Sequence, residues 1–198
     1  MSVGSVGGVP TGSTSPTVWC VGAGAIGGNV ASRLVLAGLE PLVVDADPRH
    51  VALLREPGLA VESPGGDRMT PMDAVSPEAA LSREGRCDLL LLAVRSQVTE
   101  SALAPLLSRL APNGDVVSLQ NGLSCERVAT IAGEQRTIGC AVGFAATYLA
   151  PGRVRLDAEG PLTIGRLWDS GATGATGGTG EDSGLARSSR AGWGVADS

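Results

Sequence analysis

The stretch GAGAIGG, residues 22–28, constrains this chain more than any other. It follows a short apolar run, TVWCV, and leads into a segment with Ile26, Val30, Leu34 and Ala37 at helical spacing, closed by Gly38. Gly22, Gly24 and Gly27 stand at the G-x-G-x-x-G spacing. Between a strand and a helix, the first such glycine permits the tight turn and the second lets main chain approach a pyrophosphate. The third lets the helix press on the sheet. Ala23, Ala25 and Ile26 supply the intervening main chain, and amides opening the helix face an anion with the helix dipole behind them. The next strand, PLVVD, ends in Asp45, 18 positions after Gly27. That is close to the ~20 expected of a carboxylate that hydrogen-bonds an adenosine ribose. Alone the glycine pattern is weak, and a plain structural turn would also explain it. Strand, helix and carboxylate together favour a nucleotide.

The same alternation of strands and helices continues to about residue 132, which predicts an α/β fold, doubly wound over a mostly parallel sheet. Hydrophobic residues make up 43% of the chain but aromatics only 3%. The core is therefore built from Val, Leu, Ile and Ala, as in parallel sheets covered by helices. Asp47-Pro48 opens a second helix, and Ser76, Pro77 and Glu78 have the order of an N-terminal cap. LAVES and RMTPMDAV read as short additional strands, CDLLLLAV as an interior strand, and DVVSLQNG as a strand running into a turn. QVTESALAPLLSRLAPNG is expected to form one amphipathic helix ended by Asn113-Gly114, and SCERVATIAG another helix. Residues 136–167 read as several β segments around a Pro151-Gly152 turn. Residues 1–16 are small, polar and glycine-rich and read as a flexible tail or an upstream extension, without the basic start and apolar run expected of a secretory signal. Residues 17–168 are expected to form the nucleotide-binding domain. Residues 169–198 are expected to be a glycine-rich flexible segment with room for one last helix and strand.

A formal net charge of −5 argues against nucleic acid or an anionic membrane as partner. No apolar run approaches the ~18 residues of a membrane span. The four cysteines are scattered without a C-x-x-C pair, which fits reduced thiols in a cytoplasmic protein and gives no metal-ligand spacing. All 15 basic residues are arginine, so no lysine is present to act as a general acid or to form a Schiff base.

Asp45 bears on the choice of cofactor. A carboxylate accepts from an unmodified ribose and repels a 2′-phosphate, which favours NAD(H). Arg49, four residues on, has the reach to meet a phosphate, although a solvated charge on the second helix is its ordinary role. His50, the only histidine, reads as a surface residue of that helix. Arg95 and Gln97 lie just beyond the carboxyl end of the LLLL strand, and Gln120-Asn121-Gly122 beyond the end of the next. Open parallel sheets bind their ligands at those ends.

Taken with GAGAIGGNVASRLVLAG, the ordered set VRSQ, QNG, APGRV and PLTIG resembles the amino-terminal half of the ketopantoate reductases (2-dehydropantoate 2-reductases), over roughly residues 17–167. The resemblance implies a Rossmann-like domain and an oxidoreductase. The implied reaction is NAD(P)H-dependent reduction of a small 2-oxo acid, such as ketopantoate, to the 2-hydroxy acid of pantothenate synthesis. By position, residues 22–27 hold the pyrophosphate. Arg95 stands where the family usually has a cofactor-side lysine, and Asn121 lies near both nicotinamide and substrate. Two departures follow. The family often ends its second strand in an arginine for the 2′-phosphate, whereas Ala46 stands near that place here. Family habit thus points to NADP(H) and the local residues to NAD(H), and both stay open. The family's C-terminal helical domain, which supplies the proton-donating lysine, is expected to be lacking, so no catalytic residue is assigned. The expectation is a fragment, by truncation, shifted frame or split gene, with little or no activity alone. Loss of a general acid costs about 10²- to 10⁴-fold. A sheet without its companion domain exposes apolar surface, and a homo-oligomer is one outcome.

Two other classes compete. One is a non-catalytic dinucleotide-binding module. The other is an S-adenosylmethionine methyltransferase, whose glycine loop also follows its first strand, but Gly27 and the Asn-Gly after VVSLQ count against it.

Overall fold

The first strand, β1 (Val18–Val21), is buried along its whole length. Val18 and Cys20 belong to one apolar cluster, Trp19 and Val21 to another. A strand buried on both faces needs a covering layer on each side. In the computed structural model, which describes residues 15–120 and 124–166, α1 (Ala25–Leu36) and α2 (Pro48–Arg55) accompany the first cluster. The second is covered by α3 (Pro77–Leu81), α4 (Thr99–Leu103) and α5 (Ser124–Ala132).

The main sheet joins β1 to β2 (Leu42–Val44), β5 (Asp73–Val75), β6 (Cys87–Leu92), β7 (Leu110–Ser118), β8 (Thr137–Val142) and β11 (Leu162–Gly165). Its order is β11-β8-β7-β6-β1-β2-β5. Every pair is parallel except β11 with β8. The expected mostly parallel, Rossmann-like α/β architecture is what the chain adopts. A second sheet, order β4-β3-β10-β9, is formed by β3 (Leu59–Glu62), β4 (Arg68–Thr70), β9 (Ala145–Ala150) and β10 (Arg153–Ala158).

α1 lies between the two sheets, which explains its composition. Residues 27–32 are all buried, a distribution that no one-sided amphipathic helix would show. A Cβ on Gly27 would overlap the Gly22 carbonyl oxygen, on the main-sheet side, while one on Gly28 would meet Leu59 of β3 at 3.1 Å. Paired glycines thus let one helix approach both sheets. Ser32 and Thr70 hydroxyls hydrogen-bond at 2.9 Å across the second interface.

Two segments depart from expectation. Residues 97–114 do not form one helix. A 3-10 turn (Ser96–Val98), the short α4 and a second 3-10 turn (Pro105–Arg109) give way to β7 at Leu110. Asn113 and Gly114 sit inside that strand, in a bulge where Leu110 pairs with Cys87 and Asp115 with Leu89. Pro105 cannot continue the backbone ladder, and Gly114 lies so close to the Cys87 and Asp88 carbonyls that a Cβ would meet them at 3.0 Å. RMTPMDAV is two strands in different sheets, β4 and β5, separated at Pro71.

Cys20, Cys87 and Cys140 are buried and Cys125 is half-exposed. Burial, assisted by the nearby Asp45 charge, pushes the Cys20 thiol up to about 12. Burial likewise raises Cys87 and Cys140 to about 11. At pH 8 a disulfide reagent should therefore titrate one thiol quickly, Cys125, and the other three only on unfolding. Thiols whose folded values lie above the unfolded 9.0 stabilise the native state fully below that pH and lose their contribution as pH climbs toward 11 or 12. Stability to urea should accordingly fall above pH 9. A second fast thiol, or an unchanged midpoint up to pH 11, would contradict the packing. Among the described residues, no helix is long and apolar enough to cross a membrane.

Candidate functional site

At the carboxyl ends of β1, β2, β6 and β7 a cleft of about 860 Å³ opens, lined by Gly24, Asp45, Arg95 and Gln120 among others. Its floor is the turn between β1 and α1. The Gly22 amide donates to the Val44 carbonyl at 2.8 Å, so the turn is tied to the neighbouring strand, and Gly22 adopts φ +90°, where glycine is favoured. Gly24 then stands at the N-cap of α1, with no side chain capping the helix and no acidic residue in its first turn. First-turn amides have no intrahelical acceptor, so those of Ala25, Ile26 and Gly27 are left for a partner from outside the helix. A Cβ built on Gly24 meets nothing within 4 Å.

Asp45 follows β2 directly and is held by main chain. One carboxylate oxygen accepts from the Ala23 amide at 2.8 Å, the other from the Asp47 amide at 2.9 Å. A carboxylate offers about four lone-pair sites, so two bonds orient the group and leave accepting capacity toward the cleft. Asp47 caps α2, accepting from the Arg49 and His50 amides, and Arg49 is exposed.

His50 is not at the surface. It is 1% exposed, because it shares the inward face of α2 with Leu54, one turn on. The Gly152 amide donates to its Nδ1 at 2.8 Å. Nδ1 therefore carries no proton, the ring is the Nε2–H tautomer, and Nε2 donates to the Ala23 carbonyl at 2.8 Å. The glycine turn is thus braced through Ala23 on both sides, by Asp45 at its amide and His50 at its oxygen. The spacing of His50 and Leu54 was the one local signal of burial. Its distant partner, Gly152, left none. Tyr148, from β9, also reaches the cleft and packs edge-to-face on His50, centroids 5.5 Å apart.

At the far end, exposed Arg95 lines the cleft beyond β6. Gln120 is buried, donating to the Val94 carbonyl at 2.7 Å and the Thr99 hydroxyl at 2.9 Å. It fastens the ends of β6 and β7 together. Asn121 and Gly122 lie outside the described residues.

The family profile for ketopantoate reductase PanE/ApbA matches residues 18–168. The 2-dehydropantoate 2-reductase of Mesorhizobium japonicum is 30% identical over 155 residues, covering 68% of this chain and 47% of that protein. A PanE/ApbA family ketopantoate reductase from Ralstonia eutropha superposes with a TM-score of 0.63 at 31% identity, over 75% of this chain and 48% of the other. D-mandelate dehydrogenase, solved with NADH and anilino(oxo)acetate, shares the fold with a TM-score of 0.70 at 23% identity, over 78% of this chain and 50% of its own. The chain spans about half the length of the curated relatives it matches. By the profile and these relatives together, the chain belongs to the ketopantoate reductase PanE/ApbA family.

Proposed function

We propose that these 198 residues are the nucleotide-binding part of a reductase of small 2-oxo acids such as ketopantoate, working in the cytoplasm with a nicotinamide dinucleotide. The observation that carries this is the open space over Gly24 beside an uncapped helix end. A diphosphate fits there, taking charge-assisted bonds from the amides of Ala25, Ile26 and Gly27. Asp45 holds the adenosine ribose; by family resemblance Arg95 serves the cofactor side, and Asn121 is assigned to both nicotinamide and substrate. When bound, the reduced nicotinamide supplies a hydride to the carbonyl carbon. The chain's own share is orientation: the Asp45 and His50 braces fix the turn, and Gln120 fixes the strand ends that flank the reacting centre. Proton delivery to the carbonyl oxygen falls to a lysine by family resemblance. Since all 15 basic residues here are arginine, the expected behaviour of the chain alone is cofactor binding with little or no turnover.

The test is a titration followed by the fluorescence of buried Trp19, with NADH, NADPH and S-adenosylmethionine. Saturable quenching by the dinucleotides is expected; quenching by the methyl donor alone would remove the reductase reading. Asp45 further favours NADH. Asp45→Ala should weaken NADH about tenfold, the scale of one charge-assisted bond and its loosened turn, and NADPH less. Equal losses would mean that the carboxylate serves only the Ala23 and Asp47 amides.

A further inference from the structure

We propose that Tyr148 is the wall against which the cofactor's adenine stacks. The inference rests on the dinucleotide reading above and assigns a residue outside the glycine motif to the adenosine end. Tyr148 is the only tyrosine in the chain, and β9 delivers it to the same cleft as Asp45. Its side of the cleft is set by its neighbours. Burial raises the Tyr148 hydroxyl above its ordinary value, followed by the charges of Asp47 and Asp45, with Arg49 opposing. The ring packs on His50 of α2 and so stands beside the residues that end β2 and start α2, where the ribose carboxylate lies.

The support beneath it is rigid. His50 is fully buried and locked at both ring nitrogens, by Gly152 on the β9–β10 turn and by Ala23 in the glycine turn. Tyr148 meets that ring at an interplanar angle of 72°. This edge-to-face contact fixes the phenol without covering it on both faces, and the residue stays 42% exposed. A half-exposed aromatic held at one contact and open to a cleft offers a π face to a flat heterocycle.

The experiment uses the full chain with NADH, reduced nicotinamide mononucleotide and AMP as probes. Tyr148→Ala should raise the Kd for NADH and for AMP about tenfold, the scale of one base–aromatic stack, and leave the mononucleotide unchanged. Tyr148→Phe should keep both affinities within about twofold, because stacking needs the ring and not the hydroxyl. If NADH binds the parent chain but Tyr148→Ala leaves its Kd unchanged, or weakens the mononucleotide equally, the adenine assignment is wrong and the dinucleotide reading stands. If the parent chain binds none of the three, both readings fall.

Discussion

Gly24→Val should abolish dinucleotide binding while leaving the protein folded. The turn places no atom within 4 Å of a Cβ at this position, so a side chain there starts in open space at the cleft that Gly24 lines. Gly24 has φ −66° and ψ −158°, so a valine there does not have to enter the left-handed region. The cost to stability is that of a poorer N-cap, about 1 kcal/mol at most. Binding suffers far more, because the new methyl groups occupy the space of the diphosphate and hold it off the amides. A hydrogen bond to a charged group contributes about 1.5–3 kcal/mol. Losing two of them raises Kd by a factor of about 10² to 10⁴. Calorimetric titration with NADH and a thermal melt of the same variant check both halves. Retained affinity would mean that the turn is structural only.

Gly27→Ala should do the reverse, damaging the fold first. Its Cβ would overlap the Gly22 carbonyl oxygen and press on the Ala93 Cβ at 2.8 Å. Both obstacles are short and rigid: one is main chain of the turn itself, the other a side chain with no rotamer to change. Ordinary overpacking costs about 1–3 kcal/mol. Here α1 must lift off β1 or the turn must open, so a loss of about 3 kcal/mol or more is expected, at the severe end for single substitutions. In a urea melt that loss appears as a lower midpoint at unchanged slope. A variant as stable as the parent would show that α1 does not depend on this close approach. The two glycines, three positions apart, therefore separate recognition from packing.

What could be read from the sequence was local. The turn, its helix and Asp45 lie within one strand–helix–strand unit, so residue spacing alone brought them together. β6 was legible because four consecutive leucines leave a strand no exposed face. His50 was misread because its polarity suggested solvent, while the groups that satisfy it in the core are the Ala23 carbonyl and an amide 102 residues away. The second sheet was hidden for the same reason: β3 pairs with β10, Ala60 opposite Arg153, across nearly half of the chain. Residues 97–114 carry helical periodicity, but tertiary pairing of Leu110 with Cys87 outweighs it. Gly28 lies outside the G-x-G-x-x-G spacing, and its reason, Leu59 of the second sheet, became visible only once α1 was seen between two layers.

The central claim is that main-chain amides at the start of α1 receive the cofactor's diphosphate. Amide nuclear magnetic resonance of the nitrogen-labelled full chain, recorded as NADH is added, tests it directly. The resonances of Ala25, Ile26 and Gly27 should shift furthest and saturate together, with that of Gly24→Val protein unmoved at the same concentrations. Shifts that miss these amides, or spectra unchanged by NADH in a folded sample, would contradict the account.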